Sequence, residues 1–387
     1  MNIRPRIDDL TPEMIGWRRH LHAHPELAYQ EKKTAAFVAA KLRAFGLEVH
    51  EGLGGTGVVG VLRRGNGPMV ALRADMDALP ITEMTGLPYA SETTGVMHAC
   101  GHDGHTAMLL GAAQILTETP PANGAVIFIF QPAEEGEAGG KAMVEDGLFR
   151  DFPAASVYGL HNWPGIPEGQ FAARAGAVMA AFDTFEVIVE GHGSHAAMPH
   201  QGIDPIAVSA QLYQAWQLIV SRNVNPTDAA VISVTQIHAG DSWNVLPDTV
   251  VLRGTVRTLR AQTRELVRAQ MAERADLICR AFGAHAKFAW QERYPPTINT
   301  AAEAEVARLA AIDAGSAGEV LTDLAPSMAS EDFAYMLQEK PGAYIWLGSG
   351  PANNGKNLHS ARYDFNDAIL PVGVEYWVRL AHRVLSS

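Results

Sequence analysis

The sequence predicts an α/β protein of two domains, one inserted into the other, and three observations carry that expectation. Strand-like and helix-like segments alternate up to residue 181, with acids and a histidine at the ends of successive strands. Residues 182–293 then run strand, helix, strand, strand, helix, strand, the split βαβ order of a complete small ferredoxin-like domain. From residue 294 the chain returns to helices and one apolar strand. The expected domains are therefore 1–181 with 294–387, built on a mixed sheet flanked by helices, and 182–293 between them.

Composition narrows what such a protein can do. With 387 residues, 47% of them hydrophobic and 19% charged, there is material for a large buried core. A formal charge of −12 argues against nucleic acid or an anionic membrane surface as partner. An anionic substrate would need local arginines or metal ions. No apolar run approaches the roughly 18 residues of a membrane span, and the first residues lack an apolar signal segment. The two cysteines, Cys100 and Cys279, stand far apart in unlike surroundings, so no disulfide framework is expected. Cys279, within ADLICRAFG, reads as a core residue, and the chain as cytoplasmic and reduced.

Taken in order, Thr11-Pro12-Glu13 carries a helix start signal, with Thr as N-cap and Pro at the first helical position. That helix is expected to stop before Pro25. Its His20, His22 and His24 are spaced i, i+2, i+4, which spreads them over different faces and speaks against a shared metal. A second helix over 30–45 ends at Gly46, as a left-handed C-cap would. Strands follow at 58–62 and 69–74, the latter running into Asp75-Met76-Asp77. Open α/β sheets place functional loops past the C-terminal ends of their strands. There Asp77 is placed to bond a metal-ligating imidazole and hold its tautomer.

The rest is organised around residues 96–107, VMHACGHDGHTA. Cys100 and His102 flank Gly101, so a tight turn aims a thiolate and an imidazole at one point. That donor pair suits a borderline-soft divalent ion such as zinc, manganese or cobalt. Asp103 opens a helix whose N-terminus abuts that point. The strand at 125–130 delivers Glu134 and Glu135, adjacent carboxylates of which one can ligate while its neighbour acts as a base. The next strand ends at His161. In the inserted domain the strand DTFEVIVEG is followed by a helix at 204–220, strands at 230–238 and 249–258, a helix at 261–282 and a strand at 284–290. A helix from 301, the strand AYIWLGS and a helix to residue 387 complete the chain, with His359 in the loop before that last helix.

Nine motifs now stand in order over nearly the whole chain: WRRHLHAHPELAYQE, RADMDALPI, HACGHDGHTA, QPAEEG, GLHNWP, GSHAAMPHQGIDPI, NVLPD with GTVRT, SEDF and LHSARYDFND. Together they resemble the aminoacylase and hippurate-hydrolase family of dinuclear metalloamidases, in the branch that cleaves N-acyl and auxin-amino-acid conjugates. The resemblance implies a metallopeptidase-like catalytic domain, with 182–293 as lid and dimerisation domain. It implies two divalent ions (zinc, manganese, cobalt or nickel) held by Cys100 as bridge, His102, Glu135, His161 and His359. Glu134 matches the family's base and His195 the residue that polarises the scissile carbonyl. Asn244 and Arg257 match substrate-binding residues, with Arg257 suited to gripping a carboxylate.

The implied reaction hydrolyses an N-acyl-L-amino acid to a carboxylic acid and a free amino acid, in a homodimer or homotetramer formed through the lid. His195 would act in its own subunit or its neighbour's. Related peptidases carry His-x-Asp at Asp75-Met76-Asp77 and an acid at Cys100, which favours the amidohydrolase branch over the carboxypeptidases. Two positions depart from the family: Ala361 replaces the usual Pro after His-Ser, and His192 replaces a Lys ahead of Ser194-His195. A dipeptidase or aminobenzoyl-glutamate hydrolase on the same metals is the alternative enzyme. A catalytically silent metal-binding protein is the alternative outside enzymes, and the filled Glu134 and ligand positions count against it.

Overall fold

Buried apolar spacing, more than capping chemistry, decides where the first helix lies. The computed structural model, which describes residues 3–352 and 357–386, places that helix at Arg4–Ala23, starting well before Thr11. Ile7, Leu10, Met14, Trp17 and Leu21 recur at three- and four-residue intervals and are all buried. Pro5 is the proline of the first turn, whereas Pro12 sits inside the helix, where it lacks the N–H of an i→i−4 bond. Thr11 does not cap: its hydroxyl donates to the Ile7 carbonyl at 2.9 Å. The apolar stripe packs on the helices His102–Glu118 and Leu370–Leu385, and that burial outweighs the start signal at Thr11.

The chain divides into two compact units: Met1–Gly176 with Ile298–Ala325 and Asp332–Ser387, and Ala177–Thr297 with Pro326–Glu331. The first is built on a seven-stranded mixed sheet. Its order is Glu48–Leu53, Gly57–Arg64, Gly124–Gln131, Met69–Asp75, Ser156–Trp163, Gly342–Gly348 and Phe171–Ala172. The four strands from Gly124–Gln131 to Gly342–Gly348 are mutually parallel, and the outer pairings are antiparallel. Gly124–Gln131 is buried along its whole length, as a strand covered on both faces must be. The helix Lys32–Ala44 is closed by Gly46 at φ +85°, a backbone that only glycine adopts without strain. The predicted final helix runs Leu370–Leu385, and residue 387 lies outside the described residues.

The second unit carries a four-stranded antiparallel sheet in the order Ala230–His238, Thr249–Thr258, Ala181–Glu190, His285–Tyr294. With the helices Pro205–Arg222 and Ala261–Ala281 this is the ferredoxin-like arrangement. Alternate residues of Ala181–Glu190 are buried, as expected for a sheet with its helices on one face. Phe185, Val187, Leu212, Trp216, Met271 and Cys279 form part of its core. No helix of the described residues is long and apolar enough to cross a membrane.

The helix through Pro12 yields a stability prediction. Pro12→Ala restores an N–H donor in the helix interior and should raise unfolding stability by about 1–3 kcal/mol. Urea denaturation of both proteins checks this, and equal midpoints would mean that the helix already absorbs its proline without cost.

Candidate metal centre

Parallel strands put their C-terminal ends on one edge of a sheet, and this chain loads that edge with donors. Met69–Asp75 leads to Asp77, Gly124–Gln131 leads to Glu134 and Glu135, and Ser156–Trp163 carries His161 near its end. The turn that aims Cys100 and His102 depends on Gly101 at φ +102°. A Cβ there would meet Asn162 Oδ1 at 2.3 Å and Tyr363 Oη at 2.8 Å, so both conformation and space exclude a side chain. His359 arrives from the C-terminal part of the chain on left-handed backbone, φ +63°, with its N–H bonded to the Ala99 carbonyl at 2.7 Å.

Two donor groups share Cys100. In each of the sets Cys100–His102–His161 and Cys100–Glu135–His359, the ligand atoms lie within 4.8 Å of one another. His161 Nε2 stands 3.4 Å from Cys100 Sγ, and His359 Nε2 stands 3.2 Å from Glu135 Oε1. His102 Nδ1 and His161 Nδ1 each donate to a carbonyl, of Asp77 at 2.9 Å and of Asn162 at 2.6 Å. A carbonyl only accepts, so on both rings Nε2 is the nitrogen left available to a metal. Among the described residues His102 Nε2 and Glu135 Oε1 are buried without a hydrogen bond; the His359 contact lacks the alignment of one.

The electrostatics ask for cations. Burial alone would lower the His102 pKa, yet Asp75, Asp77 and Glu135 outweigh it and hold the ring at about 10. Burial, then Glu135 and Glu134, push the Cys100 thiol well above its usual range, so a thiolate here requires a positive ion beside it. Burial, with His105 close by, keeps His161 well below the usual histidine range, neutral and ready to ligate. A thiol, imidazoles and a carboxylate around two foci, with orphaned buried donor atoms, fit two divalent ions of borderline softness.

Asp77 does more than hold a tautomer. Its carbonyl takes His102 Nδ1, while its carboxylate accepts the N–H of Glu134 at 3.0 Å and of Glu135 at 2.9 Å. One residue thereby sets the spacing of a ligand imidazole and the two glutamates. Sequence reasoning missed His105, which lies three residues after His102 and so on a neighbouring helix position. Its Nδ1 meets Asp75 Oδ1 at 2.6 Å and its Nε2 accepts the Asn162 N–H at 3.1 Å, linking two of the strand ends. Burial works against ionising Asp75, but His102, His105 and Arg73 overcome it and hold the carboxyl well below the usual range.

The other predicted site residues lie in the second unit. His195 and Val245 pair across two short strands, so Asn244 lies beside His195 at the rim of an open depression of about 590 Å³. His195 Nδ1 accepts the Ala197 N–H at 3.1 Å, which leaves Nε2 as a donor in the neutral ring. The Asn244 side chain accepts from the Ser242 hydroxyl at 2.9 Å. Arg257 makes its contacts elsewhere: it donates to the Ser330 hydroxyl at 2.9 Å and its guanidinium lies 4.1 Å from the Phe182 ring centroid.

Comparison with known proteins places this geometry in context. A family model described as Peptidase family M20/M25/M40 matches residues 71–383. The chain is 42% identical over 383 residues to an N-acetyl-L-cysteine deacetylase of Bacillus subtilis, covering 98% of this chain and 90% of that one. It is 41% identical to a hippurate hydrolase of Campylobacter jejuni, with all of both chains covered. A solved Bacillus subtilis structure, described as a dinuclear metal binding peptidase from the M20 family, superposes with a TM-score of 0.87. Its identity is 35%, with 98% of this chain and 99% of that one covered.

The two foci predict a graded loss of metal. Elemental analysis after dialysis should find two divalent ions per wild-type chain and one in His359→Ala. Cys100→Ser should retain fewer ions than His359→Ala, because both foci lose their common soft ligand. Full metal content in Cys100→Ser would remove the thiol from the ligand set.

Proposed function

Because the chain belongs to the M20/M25/M40 peptidase family, we propose that it hydrolyses the amide bond of N-acyl-L-amino acids, releasing a carboxylic acid and a free amino acid. It is a hydrolase, and relatives at 42% and 41% identity are named for N-acetyl-L-cysteine and hippurate, both amides of that kind. The observation that carries the reading is the Glu134–Glu135 pair, fastened by two backbone bonds to Asp77 beside the Cys100–His102–His161 donors.

Cys100, His102 and His161 would hold one ion, and Cys100, Glu135 and His359 the other. When bound, two divalent ions supply Lewis acidity that lowers the pKa of a water from ~15.7 towards ~7 and polarises the amide carbonyl. Glu134 accepts the attacking water's proton and returns it to the leaving nitrogen. His195 donates from Nε2 as negative charge develops on the carbonyl oxygen. Asn244 and Arg257 bind substrate, with Arg257 gripping the amino acid's carboxylate; that explains how a protein of net charge −12 takes an acid. Cys100 in the donor set would suit zinc, manganese, cobalt or nickel better than magnesium or calcium, which take oxygen ligands. The buried, unpaired thiols Cys100 and Cys279 favour a reducing, cytoplasmic setting. An assembly of two or four chains through the second unit is favoured by its edge strand Ala230–His238. Ile237 on that strand is 61% exposed, and Leu218 on the helix Pro205–Arg222 is 52% exposed.

Hippurate and N-acetyl-methionine should be hydrolysed, with the activity lost to chelator and restored by divalent ions. Glu134→Gln should keep both ions and lose turnover, whereas Glu135→Gln should lose metal. Equal metal loss in both variants would refute this division of labour.

His195→Ala should leave metal content normal and lower kcat on the order of 100- to 1000-fold, the usual effect of losing one oxyanion donor. If the histidine serves a partner's site, mixed Glu134→Gln and His195→Ala protomers should regain activity. An unchanged kcat removes His195 from the mechanism.

A further inference from the structure

The first helix carries Trp17-Arg18-Arg19-His20-Leu21-His22, a stretch to which the chemistry above assigns no role. Arg18 is completely buried on that helix, an expensive place for a guanidinium unless every contact is used. Its Nε donates to Asp103 Oδ2 at 2.8 Å and its Nη2 to Asp364 Oδ1 at 2.7 Å, with Asp367 Oδ1 3.4 Å from Nη1. The Tyr89 and Phe365 ring centroids lie 5.0 and 5.8 Å from its central carbon, and the Tyr89 hydroxyl also donates to Asp364 at 3.2 Å. His22, one turn along the helix, meets Asp103 Oδ2 at 2.9 Å.

The two carboxylates that Arg18 joins are not equivalent surface acids. Asp103 directly follows His102, in the segment that also carries Cys100. Asp364 belongs to the loop that carries His359, 261 residues beyond it in the chain by the residue numbers (364 − 103). Tyr363 and Phe365 anchor that loop in the core, but His359 itself is loosely held. The His359 side chain is 54% exposed, and its backbone is in the left-handed region, which a histidine does not favour. Beside the packing of Tyr363 and Phe365, the loop's polar ties to the Cys100–His102 segment include the His359 N–H to the Ala99 carbonyl and the Asp103–Arg18–Asp364 bridge.

We propose that Arg18 is a positioning residue: by bridging Asp103 and Asp364 it holds the His359 loop against the Cys100–His102 segment and so sets the affinity of the ion at Cys100, Glu135 and His359. The planar fork of arginine directs donors at two carboxylates in fixed directions, which the single ammonium of lysine cannot do. The ion at Cys100, His102 and His161 does not use the His359 loop and is largely insensitive to the bridge.

The inference rests on the two-ion reading of the site, and the test keeps the two apart. Wild type, Arg18→Lys and Asp364→Asn are freed of metal, titrated with cobalt(II) against a competing chelator, and followed by cobalt absorption. Thermal unfolding of the metal-free proteins is measured beside them. Asp364 is partly exposed, so Asp364→Asn remains informative should the Arg18 variant fail to fold. In both variants the second cobalt should bind about 10- to 100-fold more weakly, with the first little changed. Because Arg18→Lys keeps the charge, its failure to restore the second ion separates bridging from simple neutralisation. Wild-type affinities for both ions in both variants, or equal weakening of both ions in step with a lowered unfolding temperature, overturn the proposal. A wild-type protein that binds fewer than two cobalt ions overturns the two-ion reading itself.

Discussion

Buried negative charge is the constraint that this protein is built to satisfy. Asp75, Asp77, Asp103 and Glu134 are all buried. A carboxylate taken out of water without a partner costs several kcal/mol, and removing one member of a buried pair typically costs about 3–5 kcal/mol. The chain meets this with three kinds of partner. Arg73 and His105 serve Asp75, Arg18 and His22 serve Asp103, and the backbone N–H groups of Glu134 and Glu135 serve Asp77. Around Cys100, Glu134 and Glu135 add further negative charge close to the buried thiol. The raised pKa of His102 and of the Cys100 thiol are two expressions of that surplus. Divalent ions would relieve it, and in the proposed reaction Glu134 would stand beside them as the base.

The sheet makes this concentration of charge geometrically possible. Four parallel strands bring their C-terminal ends to one edge, so that segments near residues 77, 134 and 161 meet without long excursions, and the segment that starts the helix at His102 returns to them. The candidate ligands are then held from behind by other polar groups. Asp77 sets the two glutamates and His102 together, and His105 ties the Asp75 strand to the His161 strand through Asn162. Tyr363, whose hydroxyl accepts from Asn162 at 2.7 Å, ties the His359 loop to the same edge. Such supporting contacts decide where ligand nitrogens point, and hence how selective and how tight a metal site becomes.

Much of this was legible in the amino-acid order. Period-two and period-3.6 apolar patterns announced most of the strands and helices of both units, since burial leaves a trace in every few residues, whereas the largely exposed edge strand Glu48–Leu53 left none. The donor types were legible as well: a cysteine and histidine around a glycine, adjacent glutamates after a strand, and a histidine at the next strand end, each a local feature of chemistry and spacing. What the sequence alone could not decide was partnership. The first helix begins at Arg4 because its stripe packs on two distant helices, a gain that the local signal at Thr11 does not report. Asp77 uses its carbonyl for His102 and its carboxylate for the glutamates, a division that only the folded turn determines. Arg18 reaches Asp103 across 85 residues and Asp364 across 346, so no periodicity within the first helix marks it as a bridge. Local order thus determined which groups are present and on which elements. Tertiary packing decided which of them meet, because burying a charge obliges it to find a partner wherever in the chain that partner lies.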